Sequence, residues 1–414
     1  MIALLSTLIA GSALGPITSQ LLLDLSMVSI WICLPWERCI LHKTSPHFFK
    51  KTGIEWFFIG YFLVSVLSLA INAPDPKPWF YSLRKFTFIF DFYLLIWASS
   101  QMSGNLKNWF YFFCFASILP NVYAFTAFAH GRDFISGEPT EGRLTGLVHS
   151  ATYHAHANGV ILVFFGVLGI GLWYSISPRL KVFLLFSLGV LGTSVFLTYT
   201  RGIWISVALT TLLFLFILSW RHFIAGALGL AALFLPLFYF IPMAQERVET
   251  LLQGTSGIGI RQNLYKAFWL MFKDHPFIGI GYWDQYRQIK DYWPRLGLPA
   301  DYFTSHAHNQ YMNVLGTTGA LGLFFFLSII GYFLWTNIQL YRKAKDQVSK
   351  VFLLACLAAQ VEFYLACVTD VTFEYAKIRA LILLVWALLI SYRRGLLKPY
   401  FPVKNKDPLS TDFP

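Results

Sequence analysis

Long apolar stretches recur along almost the whole chain, and short polar segments separate them. Most are about 20 residues long and continuously apolar rather than alternating, which is typical of membrane-spanning α-helices and not of barrel strands. Hydropathy predicts about twelve spans. They lie near residues 2–15, 17–34, 54–71, 86–103, 109–129, 155–175, 182–199, 203–219, 223–242, 311–339, 351–368 and 378–392.

The predicted spans also divide the chain into larger units. One long segment between spans has soluble-like composition, and in it the spacing of Leu264, Phe268 and Met271 predicts a short amphipathic helix. The predicted units are 1–242 with the first group of spans, 243–310 with one large loop, 311–392 with the last spans, and 393–414 with a polar cytoplasmic tail.

Composition narrows the class of protein. Hydrophobic residues make up 57% of the chain and charged residues 13%. Soluble domains carry roughly 25% charged residues, so this composition excludes an ordinary soluble enzyme, a disordered chain and a nucleic-acid-binding domain. Basic cytoplasmic loops and anionic membrane lipid explain the net charge of +12 better than nucleic acid does. With both termini cytoplasmic, the inside loops carry most of the basic excess and the large loop lies outside.

The first candidate for chemistry is an arginine between two predicted spans. Arg201 lies in the segment Thr198–Trp204, where almost no loop separates the spans. Its guanidinium keeps its charge and offers a planar set of donors that suits phosphate oxygens. The alternative is an interfacial arginine that extends its charge into the headgroup region.

The second candidate is a pair of histidines at the end of the large loop. His306 precedes His308 and Asn309, which are followed by nine residues and then by Gly319 and Gly322. A histidine at this boundary can titrate near neutral pH and act as a general base or orient an acceptor hydroxyl. The glycines allow close helix packing. The alternative for the histidines is an interfacial position with hydrogen bonds to the backbone.

Taken together, these signals resemble the family of bacterial O-antigen ligases and O-antigen polymerases, which are envelope glycosyltransferases. The resemblance extends over about residues 124–326, and its last motif is the one associated with the ligase branch. Its motifs are Thr200–Gly202, Gly259–Arg261, Asp274–Gly281 and His308–Gly322, with a looser match at Gly142–Gly146.

The resemblance implies an all-α polytopic membrane protein of the C-type glycosyltransferase architecture, with one large periplasmic loop. The donor would be a polysaccharide on undecaprenyl pyrophosphate. The acceptor would be a sugar hydroxyl of lipid A–core oligosaccharide. Transfer would take place at the periplasmic face of the bacterial inner membrane, with the lipid pyrophosphate as leaving group.

This reaction assigns roles to the candidate residues. Displacing a pyrophosphate from an anomeric carbon places negative charge on the leaving oxygen, and fixed cations stabilise that charge. Arg201 and Arg261 are assigned to the pyrophosphate, with Arg143 as a third candidate, and the resemblance implies that His308 is the acceptor-side base. Other substrate contacts are expected from His306, Asn309 and Arg287. Alternatively, Arg261 pairs with a nearby acid on its helix, and Arg287 is a solvated loop arginine.

No metal or other cofactor is expected. The predicted outer side has no Asp-x-Asp or Glu-rich motif to hold a divalent metal, so arginines would supply the positive charge. His154 and His156 echo the later pair of histidines. Side chains at i and i+2 of a helix point to opposite sides, however, and cannot readily share one metal.

Two other functions remain open from the sequence. The related polymerase joins repeat units between two lipid-linked chains, and chain length does not separate it from a ligase. A transporter of polysaccharide or lipid-linked oligosaccharide is the alternative of another class. Paired inverted repeats would support a transporter, but the acidic residues within spans show no repeat symmetry. These residues are Asp24, Glu55, Asp91 and Glu362.

Overall fold

The apolar stretches of the chain form long α-helices joined by short loops. The computed structural model describes residues 51–72, 79, 82–100, 104–135, 137–146, 150–252 and 258–402. Within these residues no β-sheet forms. The long helices are α1 (Glu55–Asn72), α2 (Phe88–Ser100), α3 (Leu106–His130), α4 (Ala151–Gly171), α5 (Pro178–Leu197), α6 (Arg201–Leu218), α7 (Trp220–Phe240), α8 (Pro242–Leu252), α9 (Ile258–Asp274), α10 (Gln310–Lys343), α11 (Gln347–Ala366) and α12 (Ala376–Arg393).

Each span predicted from residue 54 onwards coincides with one of these helices. In the described part of the chain, 7 helices are long and apolar enough to cross a membrane: α1, α3, α4, α5, α6, α10 and α11. Helix α2, with 13 residues, is shorter than a full span. The spans predicted at 2–15 and 17–34 lie outside the described residues. The all-helical membrane fold is confirmed, whereas the count of about twelve spans and the periplasmic position of the large loop stay predictions.

The amphipathic helix predicted in the large loop is present as α9. Its apolar face, with Leu264, Phe268 and Met271, is fully buried. Phe268 packs against α10, where an added Cβ on Gly316 would lie 2.7 Å from the Phe268 ring. The same face also contacts the buried Trp293 of the loop. The loop therefore has its own small apolar core, which attaches it to the bundle.

Several helix ends meet around the segment Cys367–Tyr375, which we name the α11–α12 loop. Helix α6 approaches it at Gly202, where an added Cβ would lie 2.6 Å from Thr369 Oγ1. Helix α10 begins beside it, because the Gln310 N–H donates to the Cys367 carbonyl at 2.8 Å. We name this side of the bundle the loop end.

Helix α10 is interrupted at Gly319, which has φ 65° and ψ −168°. The interruption frees backbone groups of α10, and a neighbouring segment of the large loop pairs with them. The Ala320 N–H donates to the Pro276 carbonyl at 2.8 Å, and the Gly281 N–H donates to the Thr317 carbonyl at 3.1 Å. The Asp274–Gly281 motif therefore pairs, through backbone hydrogen bonds, with the part of α10 that contains Gly319 and Gly322.

Replacing Gly319 with alanine should destabilise the protein by about 2–5 kcal/mol. A residue with a Cβ rarely adopts this backbone conformation, and the added atom would lie 2.3 Å from the carbonyl carbon of Phe277. Thermal unfolding of the detergent-purified variant measures the loss. Gly331→Ala, in the same helix with no atom within 4 Å of the added Cβ, is the control. Equal unfolding temperatures for the two variants would contradict this account of the interruption.

Candidate functional site

The segment Ser305–Asn309, which we name the histidine segment, directly precedes α10. Hydrogen bonds with that helix hold it in one conformation. Asn309 caps α10, because its side-chain oxygen accepts from the Met312 N–H at 3.0 Å. The Ala307 N–H donates to the side chain of Asn313 at 3.3 Å. Between these contacts His308 has φ 48°, a left-handed conformation that is costly for a residue with a Cβ. The surrounding contacts therefore fix the direction of the His308 side chain.

Asp370 in the α11–α12 loop binds this histidine segment. His306 Nε2 lies 2.9 Å from Asp370 Oδ1, and His308 Nδ1 lies 3.6 Å from the same oxygen. The Val371 N–H also donates to it, at 2.8 Å. Burial alone raises the pKa of Asp370, but its interactions with His306 and His308 hold the pKa well below its usual range. Asp370 is therefore a nearly buried carboxylate that stays ionised at neutral pH beside two imidazole rings.

The two histidines differ in the partners of their ring nitrogens. His306 has one at each nitrogen, because Nε2 lies 2.9 Å from Asp370 Oδ1 and Nδ1 lies 3.1 Å from the Tyr286 hydroxyl. His308 Nε2 has one long contact, 3.4 Å from the Ser305 hydroxyl. His308 Nδ1 is buried and has no hydrogen-bond partner among the described residues. His308 Nε2, which has only this long contact on a partly exposed ring, is thus the nitrogen with more capacity for a substrate hydroxyl. His306 is the ring that Asp370 holds directly.

A second buried carboxylate anchors the α11–α12 loop. Glu374 Oε1 accepts from the Gln310 side chain at 3.2 Å, and Oε2 accepts from the Tyr282 hydroxyl at 2.9 Å. Lys85 Nζ lies 3.6 Å from Oε2. The Gln310 side chain also accepts from the Phe373 N–H at 3.1 Å. These bonds join the first residue of α10 to the α11–α12 loop. They therefore fix the separation between the two histidines and Asp370.

Arg201 lies at the same end of the bundle as the histidines. It is the first residue of α6, and the helix start packs against the α11–α12 loop through Gly202 and Thr369. Thr369 directly precedes Asp370 in the chain. The start of α6 also presents backbone N–H groups that have no partner within the helix, which favours a bound anion. We name His306, His308 and Asp370 the histidine–carboxylate cluster. Arg201 and this cluster therefore meet at the α11–α12 loop.

Arg143 supports the turn that precedes α6. Its Nε donates to the Thr198 carbonyl at 2.9 Å, and its Nη2 donates to the Thr200 hydroxyl at 3.3 Å. Tyr199 in this turn has φ 52°, so the backbone there is strained. Arg143 thus holds the strained turn that directly precedes Arg201, and its role as a third cation stays a prediction.

Arg261 lies in the first turn of α9, on a face that points toward the histidine segment. Four residues later, Tyr265 donates its hydroxyl to the His308 carbonyl at 3.5 Å. Residues four apart on a helix share a face, so Arg261 lies about one turn from this contact. Its side chain is exposed. This geometry is compatible with a role for Arg261 at the site.

Arg287 is engaged within its own loop. Its Nη2 lies 2.5 Å from Asp284 Oδ2, and its Nε lies 3.2 Å from Asp284 Oδ1. The same arginine donates to the Asn72 carbonyl at 3.4 Å, where α1 ends. Arg287 therefore joins the loop to α1, and substrate contact by Arg287 stays a prediction.

Among the described residues, one group could also hold a metal ion: His306, His308 and Asp370. Their candidate ligand atoms lie within 4.8 Å of one another. Two imidazoles and one carboxylate suit several divalent transition metals. The same distances suit a metal-free arrangement in which Asp370 accepts a hydrogen bond from His306. The geometry therefore fits a metal site and a metal-free site equally well.

His154 and His156 face different neighbours, and only His156 contacts the loop that carries Asp370. His154 Nε2 lies 3.1 Å from Asn121 Oδ1 and 2.9 Å from Ser194 Oγ, between α3 and α5. His156 Nδ1 lies 3.2 Å from the Thr372 hydroxyl. The two rings share no hydrogen-bond partner among the described residues, as expected for positions i and i+2 of a helix.

Sequence reasoning missed Asp370. It belongs to none of the motifs that carry the family resemblance, and it follows a predicted span that ends at residue 368. A usable signal was present, because an acidic residue just after a span that ends on the side of the large loop can meet the histidines there. Its pairing with His306 depends on contact between α10 and α11, which hydropathy does not predict.

The helices and this cluster define a multi-pass membrane protein with a histidine–carboxylate site beside an arginine-bearing helix start. Residues 185–327 match the family model described as O-antigen ligase. This match confirms the family resemblance, and the family indicates a glycosyltransferase of the ligase or polymerase kind. No curated protein matches the chain.

The matched segment runs from α5 to about the middle of α10. It covers about a third of the chain. It includes the arginines of α6 and α9 and the whole histidine segment, but neither Arg143 nor Asp370. The comparison does not assign the role of any of these residues.

Proposed function

We propose that this protein is an O-antigen ligase. It transfers a polysaccharide from undecaprenyl pyrophosphate to a sugar hydroxyl of lipid A–core at the periplasmic face of the inner membrane. One observation carries the proposal: the helix start that bears Arg201 packs against the same loop whose Asp370 binds His306. A leaving-group cation and an acceptor-side base are thereby next to each other.

The proposed reaction is a displacement at the anomeric carbon of the donor. The acceptor oxygen forms a bond to that carbon while the bond from carbon to the pyrophosphate oxygen breaks. The hydroxyl proton goes to His308, and Asp370 stabilises the positive charge that His308 then carries. Arg201 and Arg261 bind the departing pyrophosphate and stabilise its developing negative charge. Arg143 keeps the turn before α6 in place beside them.

The pattern of lipopolysaccharide on a gel after deletion of the gene tests this function. A ligase predicts the loss of all bands that carry O-antigen, together with accumulation of lipid-linked polymer. A remaining band of core plus one repeat unit would instead identify a polymerase, which the family match also allows. Complementation with the wild-type gene should restore the ladder, and variants at the site are then compared in the same strain.

Asp370→Asn should lower ligation about 10- to 100-fold. Asparagine keeps the size of the side chain but lacks the charge that stabilises His308 once it has taken the acceptor's proton, and it weakens the contact with His306. Ligated lipopolysaccharide formed per amount of protein in the membrane is the measurement. Asp346→Asn is the matched control, because Asp346 caps the start of α11 at the opposite end of the bundle and asparagine can also cap. Equal activity of both variants would remove Asp370 from the mechanism.

Ligation by the purified protein should continue in EDTA at an unchanged rate, because arginines supply the positive charge. The measurement is product formation from purified donor and acceptor before and after chelation. Strict dependence on added zinc, manganese or magnesium would contradict the proposal. It would then point to His306, His308 and Asp370 as the ligands, since they form a compact candidate set.

A further inference from the structure

Three tyrosines from separate parts of the chain surround the histidine–carboxylate cluster. The hydroxyl of Tyr286, in the large loop, lies 3.1 Å from His306 Nδ1. Tyr375, which precedes α12, has its ring centroid 6.2 Å from that of His306. Tyr153, in the first turn of α4, packs against Tyr375 with centroids 3.9 Å apart and ring planes inclined by 42°. We name Tyr153, Tyr286 and Tyr375 the tyrosine group.

The tyrosine group differs from an aromatic belt at a membrane interface. Belt residues lie at headgroup level around the outside of a protein. The rings of this group are instead half-buried and contact His306 or each other. Two further observations fit a binding surface: Trp283 extends the group with its ring 5.7 Å from that of Tyr286, and Lys85 Nζ lies 3.6 Å above the Trp283 ring.

The chemistry of the group suits a sugar ring. A pyranose presents an apolar face of C–H groups and a rim of hydroxyls, and a half-buried phenol offers a flat apolar ring with one polar atom. Burial raises the pKa of both Tyr286 and Tyr375. Their hydroxyls therefore stay protonated at neutral pH, and none of the group adds negative charge that would repel a phosphorylated glycan.

We propose that Tyr153, Tyr286 and Tyr375 form the subsite for the acceptor sugar, whose pyranose ring lies against them with its attacking hydroxyl at His308. The inference rests on the proposed ligase function and specifies where that function places its acceptor. The group contacts His306, on the side of the base, whereas Arg201 at the start of α6 serves the donor pyrophosphate. The subsite therefore selects for the acceptor and leaves the donor's affinity unchanged.

Initial ligation rates at varied acceptor concentration, with donor saturating, test the subsite. Tyr153→Ala and Tyr375→Ala should each raise the KM for the acceptor about tenfold, with the KM for the donor unchanged. Tyr375→Phe keeps the ring and should stay within about twofold of wild type. The matched control is Tyr174→Ala, since Tyr174 is 84% exposed beyond the opposite end of α4. Unchanged acceptor KM values in both alanine variants, or equal rises for donor and acceptor, would overturn the inference.

A second measurement uses the wild-type protein and does not depend on the folding of variants. Saturation of aromatic protons should transfer magnetisation to ring protons of a soluble acceptor oligosaccharide, and deuterated tyrosine should remove most of this transfer. Transfer that survives tyrosine deuteration would also overturn the inference. The failure of the subsite is distinct from failure of the function. In the first case the wild-type protein still ligates, and Arg201→Lys and His308→Ala still lower the rate. In the second case the folded wild-type protein itself forms no ligated product.

Discussion

Replacing Arg201 with lysine should lower the rate of glycan transfer about 30- to 1,000-fold while the protein still folds. Lysine keeps the positive charge but loses the planar set of donors that binds two phosphate oxygens at once. A well-placed contact to the leaving oxygen contributes roughly 2–4 kcal/mol in the transition state, which corresponds to this range of rates. The assay measures ligated lipopolysaccharide, normalised to the amount of the variant in the membrane.

The control for this prediction is Arg179→Lys. Arg179 is exposed in the first turn of α5, and α5 ends close to Arg201, so Arg179 lies at the opposite end of the bundle. This variant should ligate at the wild-type rate. If Arg201→Lys also retains that rate, Arg201 is an interfacial arginine and the pyrophosphate site must be placed elsewhere.

Replacing His308 with alanine should lower ligation about 100- to 10,000-fold, because the acceptor hydroxyl loses its base. His306→Ala should have a smaller effect, since both ring nitrogens of His306 already have protein partners, whereas His308 Nε2 has only a long contact with the Ser305 hydroxyl. The same ligation assay compares the two variants.

His222→Ala is the control for both histidine variants. His222 lies in the first turn of α7, at the opposite end from the cluster, and its Nδ1 lies 2.7 Å from the Ser219 hydroxyl. It should be fully active. An inactive His306→Ala beside an active His308→Ala would show that the general base has been assigned to the wrong ring.

Hydropathy alone predicted the helical framework because a membrane span needs a continuous apolar stretch of defined length. The spans predicted at 311–339 and 351–368 coincide with α10 and α11. The spacing of Leu264, Phe268 and Met271 likewise predicted α9, because a helix that covers a core needs its apolar residues on one face.

The interruption of α10 could not be predicted in the same way. Its sequence remains apolar across Gly319, and the glycines there predicted close packing between helices. The structure has this close approach and adds a break that the Pro276–Gly281 segment fills with hydrogen bonds. Such pairing depends on two segments that are far apart in the sequence, so neither segment reveals it by its own pattern.

In the candidate site, too, some residues could be predicted from the sequence and others could not. Arg201 and His308 could be named from the sequence because each has an unusual position at the end of an apolar stretch. Asp370 was not predicted, because one acid after a span is common and its meaning comes from the 2.9 Å contact with His306. The tyrosines around His306 are also unremarkable in sequence, since tyrosine is frequent at membrane interfaces.

The most direct test of the central claim is transfer by the purified protein alone. Lipid-linked polysaccharide and lipid A–core are supplied in detergent with EDTA, and ligated product and released undecaprenyl pyrophosphate are measured together. The account predicts equal amounts of both with the wild-type protein and only trace amounts with Arg201→Lys or His308→Ala. Polymer that grows on the lipid carrier without ligated product, or no reaction at all from a folded wild-type protein, would contradict it.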